Sequence, residues 1–171
     1  LLVSGQADVG IATETVDKVP ELASFPFYSW HHAVIVPHGH PLITAGEITL
    51  ETLSEYPIIT YHEGFTGRAH VDKAFADAGI VPDIVLSAID ADVIKTYVGL
   101  GLGVGVVASV AYDAEQDRSL TLIPVPSLFP ANTTRLAVRR GTYLRSYAHA
   151  FIEKVCPDVG EEAIKAAIKQ Q

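Results

Sequence analysis

Short, nearly continuous apolar runs along this chain are separated by stretches in which apolar residues return at helical spacing, the pattern of strands interleaved with helices. Residues 7–12 (ADVGIA) suit a buried strand, with Thr13, Glu14 and Thr15 at its carboxyl end. Residues 16–30, interrupted by Pro20 and Pro26, read as irregular, and 33–36 as a second strand stopped by Pro37. A turn through His38, Gly39 and His40 leads to a short helix over 49–53 entered through Thr49. Residues 56–61 (YPIITY) are a third strand. From Arg68 to Ala78, Val71, Phe75 and Ala78 recur at helical spacing until Gly79 and Pro82 stop the run.

A fourth strand over 83–88 precedes Asp90, a good N-cap for a helix through Leu100 whose stripe of Val93, Tyr97 and Leu100 is expected to face the core. A fifth strand spans 104–108, a short helix 109–115, and two further strands 120–125 and 135–139. Two terminal helices close the chain. The first, 143–155, is capped by Thr142 and turns Leu144, Tyr147, Phe151 and Val155 inward; the second covers 160–169. At the start, Leu1, Leu2 and Val3 followed by Gly5 read as the last turn of a helix. This order predicts an α/β fold with mainly parallel strands.

Composition narrows the function. With 171 residues, 49% hydrophobic and 19% charged, the chain can bury a core in one domain or two small lobes. Twelve Lys plus Arg against twenty Asp plus Glu give a net charge of −8, which argues against a nucleic-acid grip on these residues. The single Cys156 excludes an internal disulfide framework and agrees with a reducing compartment. No apolar run approaches the roughly 20 residues that cross a bilayer, so a cytoplasmic location away from membranes is expected. The absence of methionine, even an initiator, gives the expectation that the chain is a fragment.

The motif with most chemistry is residues 61–69, YHEGFTGRA, where Gly64, Phe65, Thr66, Gly67 and Arg68 connect a strand to a helix. Backbone N–H groups at a helix start have no intrahelical partner and carry positive partial charge, so an anion can sit there. Many such turns bind nothing, and Arg68 alone reads as an exposed helix residue. The glycines at 99, 101, 103 and 105 follow a helix and precede a strand, the reverse of a dinucleotide fingerprint, and are expected to end one element and allow close packing of the next. Seven histidines offer no third ligand at fixed spacing, so no metal is expected. Asp90 and Asp92 read as helix caps, and no nucleophile elbow, metalloprotease helix, phosphate loop or C-x-x-C pair is present. That leaves no catalytic residue and no required cofactor. Thr13 and Thr66, both placed after strands, remain as neutral hydroxyl donors for a reversibly held anion.

Taken together, Ala12-Thr13-Glu14, Tyr56-Pro57, Thr60-Tyr61, the GFTGR loop, the run DADVIKTYV from Asp90 to Val98, GLGVG from Gly101 to Gly105, and Leu144-Arg145-Ser146-Tyr147 resemble the effector-binding domain of LysR-type transcriptional regulators, in its CysB-like branch. The resemblance covers essentially the whole chain. It implies a two-lobed fold like type 2 periplasmic binding proteins, truncated at its amino end. One lobe would comprise residues 1–28 and 131–171, without its first strand and helix, and the other 29–130. It also implies an effector in the inter-lobe cleft: sulfate, thiosulfate, O- or N-acetylserine, or adenylyl sulfate. Thr13 and Thr66 would then be anion ligands, Gly64, Phe65 and Gly67 would shape the loop, and Trp30 at a crossover and Arg68 would stand near it. Regulation of sulfur assimilation and cysteine biosynthesis is implied, with a homo-oligomer (a dimer of effector domains, a tetramer of full-length protein). Promoter DNA would be reached only through an amino-terminal winged helix-turn-helix outside this chain. A periplasmic solute-binding protein of an anion transporter, or a transferase-type enzyme on the same scaffold, are the alternatives.

Overall fold

The computed structural model describes residues 1–13 and 15–169. Glu14, which the sequence places beside Thr13, and residues 170 and 171, assigned above to the first lobe, lie outside the described residues. In chain order the strands are β1 (Gly10–Thr13), β2 (Leu22–Trp30), β3 (His32–Pro37), β4 (Ile58–Tyr61), β5 (Ile84–Ala88), β6 (Val104–Ala108), β7 (Leu120–Pro124) and β8 (Asn132–Arg139). The helices are α1 (Leu50–Ser54), α2 (Thr66–Asp77), α3 (Ala91–Gly99), α4 (Ser146–Val155) and α5 (Glu161–Lys169). The chain divides into two compact units, Leu1–Ser29 with Asn132–Gln171, and Trp30–Ala131.

In the larger unit a five-stranded sheet runs β5-β4-β6-β3-β7. Strand β3 (HAVIVP) is apolar at consecutive positions because both of its faces are covered. Val34 and Val36 join Ile58, Val71, Phe75, Val104 and Val106 in one buried cluster, and Ile35 joins Ile59, Ile94, Val98 and Val107 in another. Thus α2 seals one face and α3 the other. Gly103 and Gly105 make this possible: a Cβ at Gly103 would collide with the Pro57 carbonyl, and one at Gly105 with Ile35. Both act in packing, as their position after α3 suggests.

The smaller unit has the three-stranded sheet β1-β8-β2, one face of which is covered by α4 and α5. At its start, Gly5 (φ +73) donates to the Leu2 carbonyl at 3.0 Å and Gln6 to that of Leu1 at 3.0 Å. This is the bond pair of a helix-ending glycine motif.

Five expectations need correction. The sheets are mixed rather than mainly parallel: β4 is parallel to β5 and β6, whereas β3 is antiparallel to β6 and β7, and β1 to β8. Residues 16–30 are not irregular, since they contain β2; Pro26 is tolerated because β2 is an edge strand, where a missing N–H breaks no ladder. In α3 the buried residues are Ile94 and Val98, while Val93 and Leu100 are exposed. In α4 the buried residues are Ala148 and Ile152, joined by Leu144 before the helix and Cys156 after it, with Val155 packed against them as expected but Tyr147 and Phe151 exposed. Small residues let α4 lie close to the sheet, and Tyr147 turns outward to donate to Asp8 Oδ2 at 2.9 Å. Thr142 does not cap α4, whose N-cap is Arg145; its Oγ1 accepts from Arg139 Nη2 at 3.0 Å.

Candidate functional site

Two helices of the larger unit are closed at their amino ends by their own side chains. Thr49 Oγ1 accepts from the Thr52 amide at 3.2 Å, and Asp90 Oδ1 from the Asp92 amide at 2.6 Å, so both residues cap as the sequence indicates. Helix α2 is different. Its N-cap is Phe65, whose side chain offers no acceptor, and its first turn carries no acidic residue. The leading N–H groups of Thr66, Gly67 and Arg68 therefore begin α2 with no capping side chain, beside a loop in which Gly64 takes φ +100, a conformation that favours glycine. Thr66 is the first helical residue, half-buried, and Phe65 is exposed, its ring 6.1 Å from that of Tyr61. The arrangement is a short run of backbone donors at a helix start with a threonine hydroxyl in its first turn, suited to an anion.

Beneath the loop lies a floor of rings. Trp30 meets His32 edge-on at 5.2 Å, and His32 meets Phe129 at 5.3 Å. Gly67 rests on this floor: an added Cβ would stand 3.0 Å from His32 Nε2 and 3.1 Å from Trp30 Cη2. His32 is almost fully buried, and burial is the main reason its pKa falls to about 4; the neighbouring His70 and His31 lower it further, against a hydrogen bond with the Gly67 backbone. The ring is thus neutral at pH 7. Gly67→Ala is expected to destabilise the protein by about 1 kcal/mol, because displacing a packed ring outweighs the gain in helix propensity; urea midpoints of the two proteins check this.

Arg68 is not the exposed helix residue that its position suggests. It is 6% exposed and bound on every side. Nη1 donates to the Tyr61 carbonyl at 2.8 Å and to Ser87 Oγ at 3.1 Å, Nε donates to Asp72 Oδ1 at 2.6 Å, and Nη2 lies 3.7 Å from Glu63 Oε1. The i,i+4 spacing of Asp72 is a signal for this pairing that the sequence carries; Ser87 and His32 leave none, because only strand pairing brings them here.

The structure therefore brings Gly64, Phe65, Thr66, Gly67, Arg68 and Trp30 together in the larger unit. Thr13 belongs to the smaller unit, where it ends β1 opposite Thr134. Among the described residues no group of three or more His, Cys, Asp or Glu side chains could hold a metal ion, and no helix is long and apolar enough to cross a membrane. His38 and His40 serve their turn: His38 pairs with Thr121 Oγ1 at 2.8 Å, and His40 Nδ1 accepts from the Leu42 amide at 3.2 Å.

Comparison with known proteins identifies the family. Residues 1–155 match the LysR substrate binding domain family. The chain is 52% identical over 170 residues to the HTH-type transcriptional regulator SsuR of Burkholderia cenocepacia, covering 99% of this chain and 55% of that protein. It is 50% identical over 169 residues to CysB of the same organism, covering 99% and 54%. The chain thus spans about half the length of the curated relatives it matches. Among solved structures, the cofactor-binding domain of the Cbl transcriptional regulator superposes with a TM-score of 0.95 at 44% identity, over 100% of this chain and 75% of that one. With the family matched over most of its length and that fold reproduced throughout, the chain belongs to the LysR substrate-binding domain family, with a type 2 periplasmic-binding-protein-like α/β fold.

Proposed function

We propose that this chain is the effector-sensing part of a LysR-type transcriptional regulator of sulfur assimilation and cysteine biosynthesis, and that the 62–66 loop takes a small sulfur-bearing anion or an acetylserine-type effector. The observation that carries the reading is the uncapped start of α2 beneath Gly64, with the Thr66 hydroxyl beside it. The relatives SsuR, CysB and Cbl, all transcriptional regulators, support the sulfur role that the motifs imply and weigh against a transport protein or an enzyme. Binding rather than turnover is the expected activity. DNA contact through a separate domain, assembly into homo-oligomers and a cytoplasmic location belong to the same reading.

Effector acts by binding one conformation of the regulator better than another, so its differential affinity bounds the response. Calorimetric titration with sulfate, thiosulfate, acetylserine and adenylyl sulfate tests the site. Thr66→Ala is expected to weaken the best of these by about tenfold, the loss of one hydrogen bond to a charged ligand. Equal binding by the two proteins would remove the loop from consideration.

A further inference from the structure

Resting on the reading of this loop as an anion site, we propose that Arg68 is its positioning residue: the guanidinium holds the loop in shape from behind and spends its charge inside the protein instead of offering it to the ligand. Four segments meet on it. Nη1 binds the end of β4 through the Tyr61 carbonyl and β5 through Ser87, Nε binds the next turn of α2 through Asp72, and Nη2 faces Glu63 in the loop itself. The Tyr61 carbonyl and the His62 amide belong to one peptide group, the one at which strand becomes loop. Arg68 holds its oxygen, and the Ala88 carbonyl accepts its N–H at 2.8 Å. That peptide is therefore clamped at both ends, and it sets the path of residues 62–65 into α2.

The charge is accounted for locally. Asp72 and Glu63 are two carboxylates against one guanidinium, so the loop is backed by no buried unpaired cation. Attraction for an anion is left to the α2 N–H groups and Thr66, whose effect depends on their being pre-arranged. A planar fork can serve strand, helix and loop together; a lysine ammonium, a single point on a flexible stem, cannot.

The test uses Arg68→Lys and Arg68→Gln in the full chain, with amide hydrogen exchange at His62 and Phe65 measured without ligand and sulfate affinity measured alongside. Both variants are expected to speed His62 exchange about tenfold while β8 amides stay unchanged, and to weaken sulfate about tenfold. Wild-type exchange and wild-type sulfate affinity in Arg68→Lys would overturn the proposal, since charge alone would then suffice. If both variants fail to fold, Ser87→Ala removes one strut; a two- to fivefold rise in His62 exchange, roughly, supports the clamp and no rise overturns it. If the wild-type protein ignores sulfate, the anion reading falls, and the exchange data still decide whether Arg68 shapes the loop.

Discussion

Acidification from pH 6.5 to pH 4 is expected to cost the protein about 3 kcal/mol at His32 alone. The imidazole is buried among Trp30, Phe129 and Gly67, and its pKa falls from 6.5 to about 4, chiefly through burial. A histidine whose folded pKa lies below its unfolded value binds a proton more readily in the unfolded chain. Its contribution is therefore fully present above pH 6.5, declines as pH falls through that window, and is exhausted below the folded value. Other groups titrate as well, so the measurement is a difference: unfolding free energies of wild type and His32→Gln at pH 7, 5.5 and 4.5. The destabilisation caused by the substitution should shrink as pH falls. A pH-independent difference would mean that the ring is not held neutral by burial. Because Gly67 sits on this ring, effector affinity is expected to decline over the same range.

Phe75→Ala is expected to destabilise the protein by about 3–5 kcal/mol, enough to unfold a marginal domain. Phe75 is 1% exposed and packs in the cluster of Val34, Val36, Val71 and Val106 that fastens α2 to the sheet, so truncation leaves a cavity and loosens the helix that begins at Thr66. The informative control is Phe151→Ala. Helical periodicity places Phe151 inward, whereas the structure leaves it 44% exposed on α4, and the expected cost is under about 1 kcal/mol. Urea denaturation of the two variants separates the two placements. Comparable losses would count against the packing described for α4.

The difference between these two phenylalanines marks how far a local reading reaches. Helix α2 had one run of apolar residues at helical spacing, and its core face followed at Val71 and Phe75, while Ala78 at the C-cap is exposed. Helix α4 had two competing stripes, one of aromatic residues and one through Ala148, Ile152 and Cys156, and periodicity favoured the larger side chains. What chose the other stripe was the need to lie close against Leu136 and Val138 of β8. Helix α3 repeats the case, with Ile94 and Val98 taken inward because they meet Ile35 and Ile59 across the sheet. Strand β2 was obscured by Pro26, which is damaging in a central strand and harmless at an edge; edge position is a property of the sheet.

The candidate site divides in the same way. Gly64, Phe65, Thr66 and Gly67 are neighbours in the chain, so the strand, the turn and the helix start they form depend on short-range geometry, and the sequence by itself determined them. It likewise determined the caps at Thr49 and Asp90, the order of most elements, and the charge balance that disfavours nucleic acid. Only the tertiary structure decided that Arg68 is buried, that His32 and Trp30 lie under Gly67, and that Ser87 reaches the guanidinium. Each of those contacts joins residues roughly 20 to 40 positions apart, or closes a surface that a local pattern leaves open. Burial is the reason: whether a charge or an imidazole is costly, neutral or useful depends on what surrounds it, and its surroundings come from strands paired at a distance.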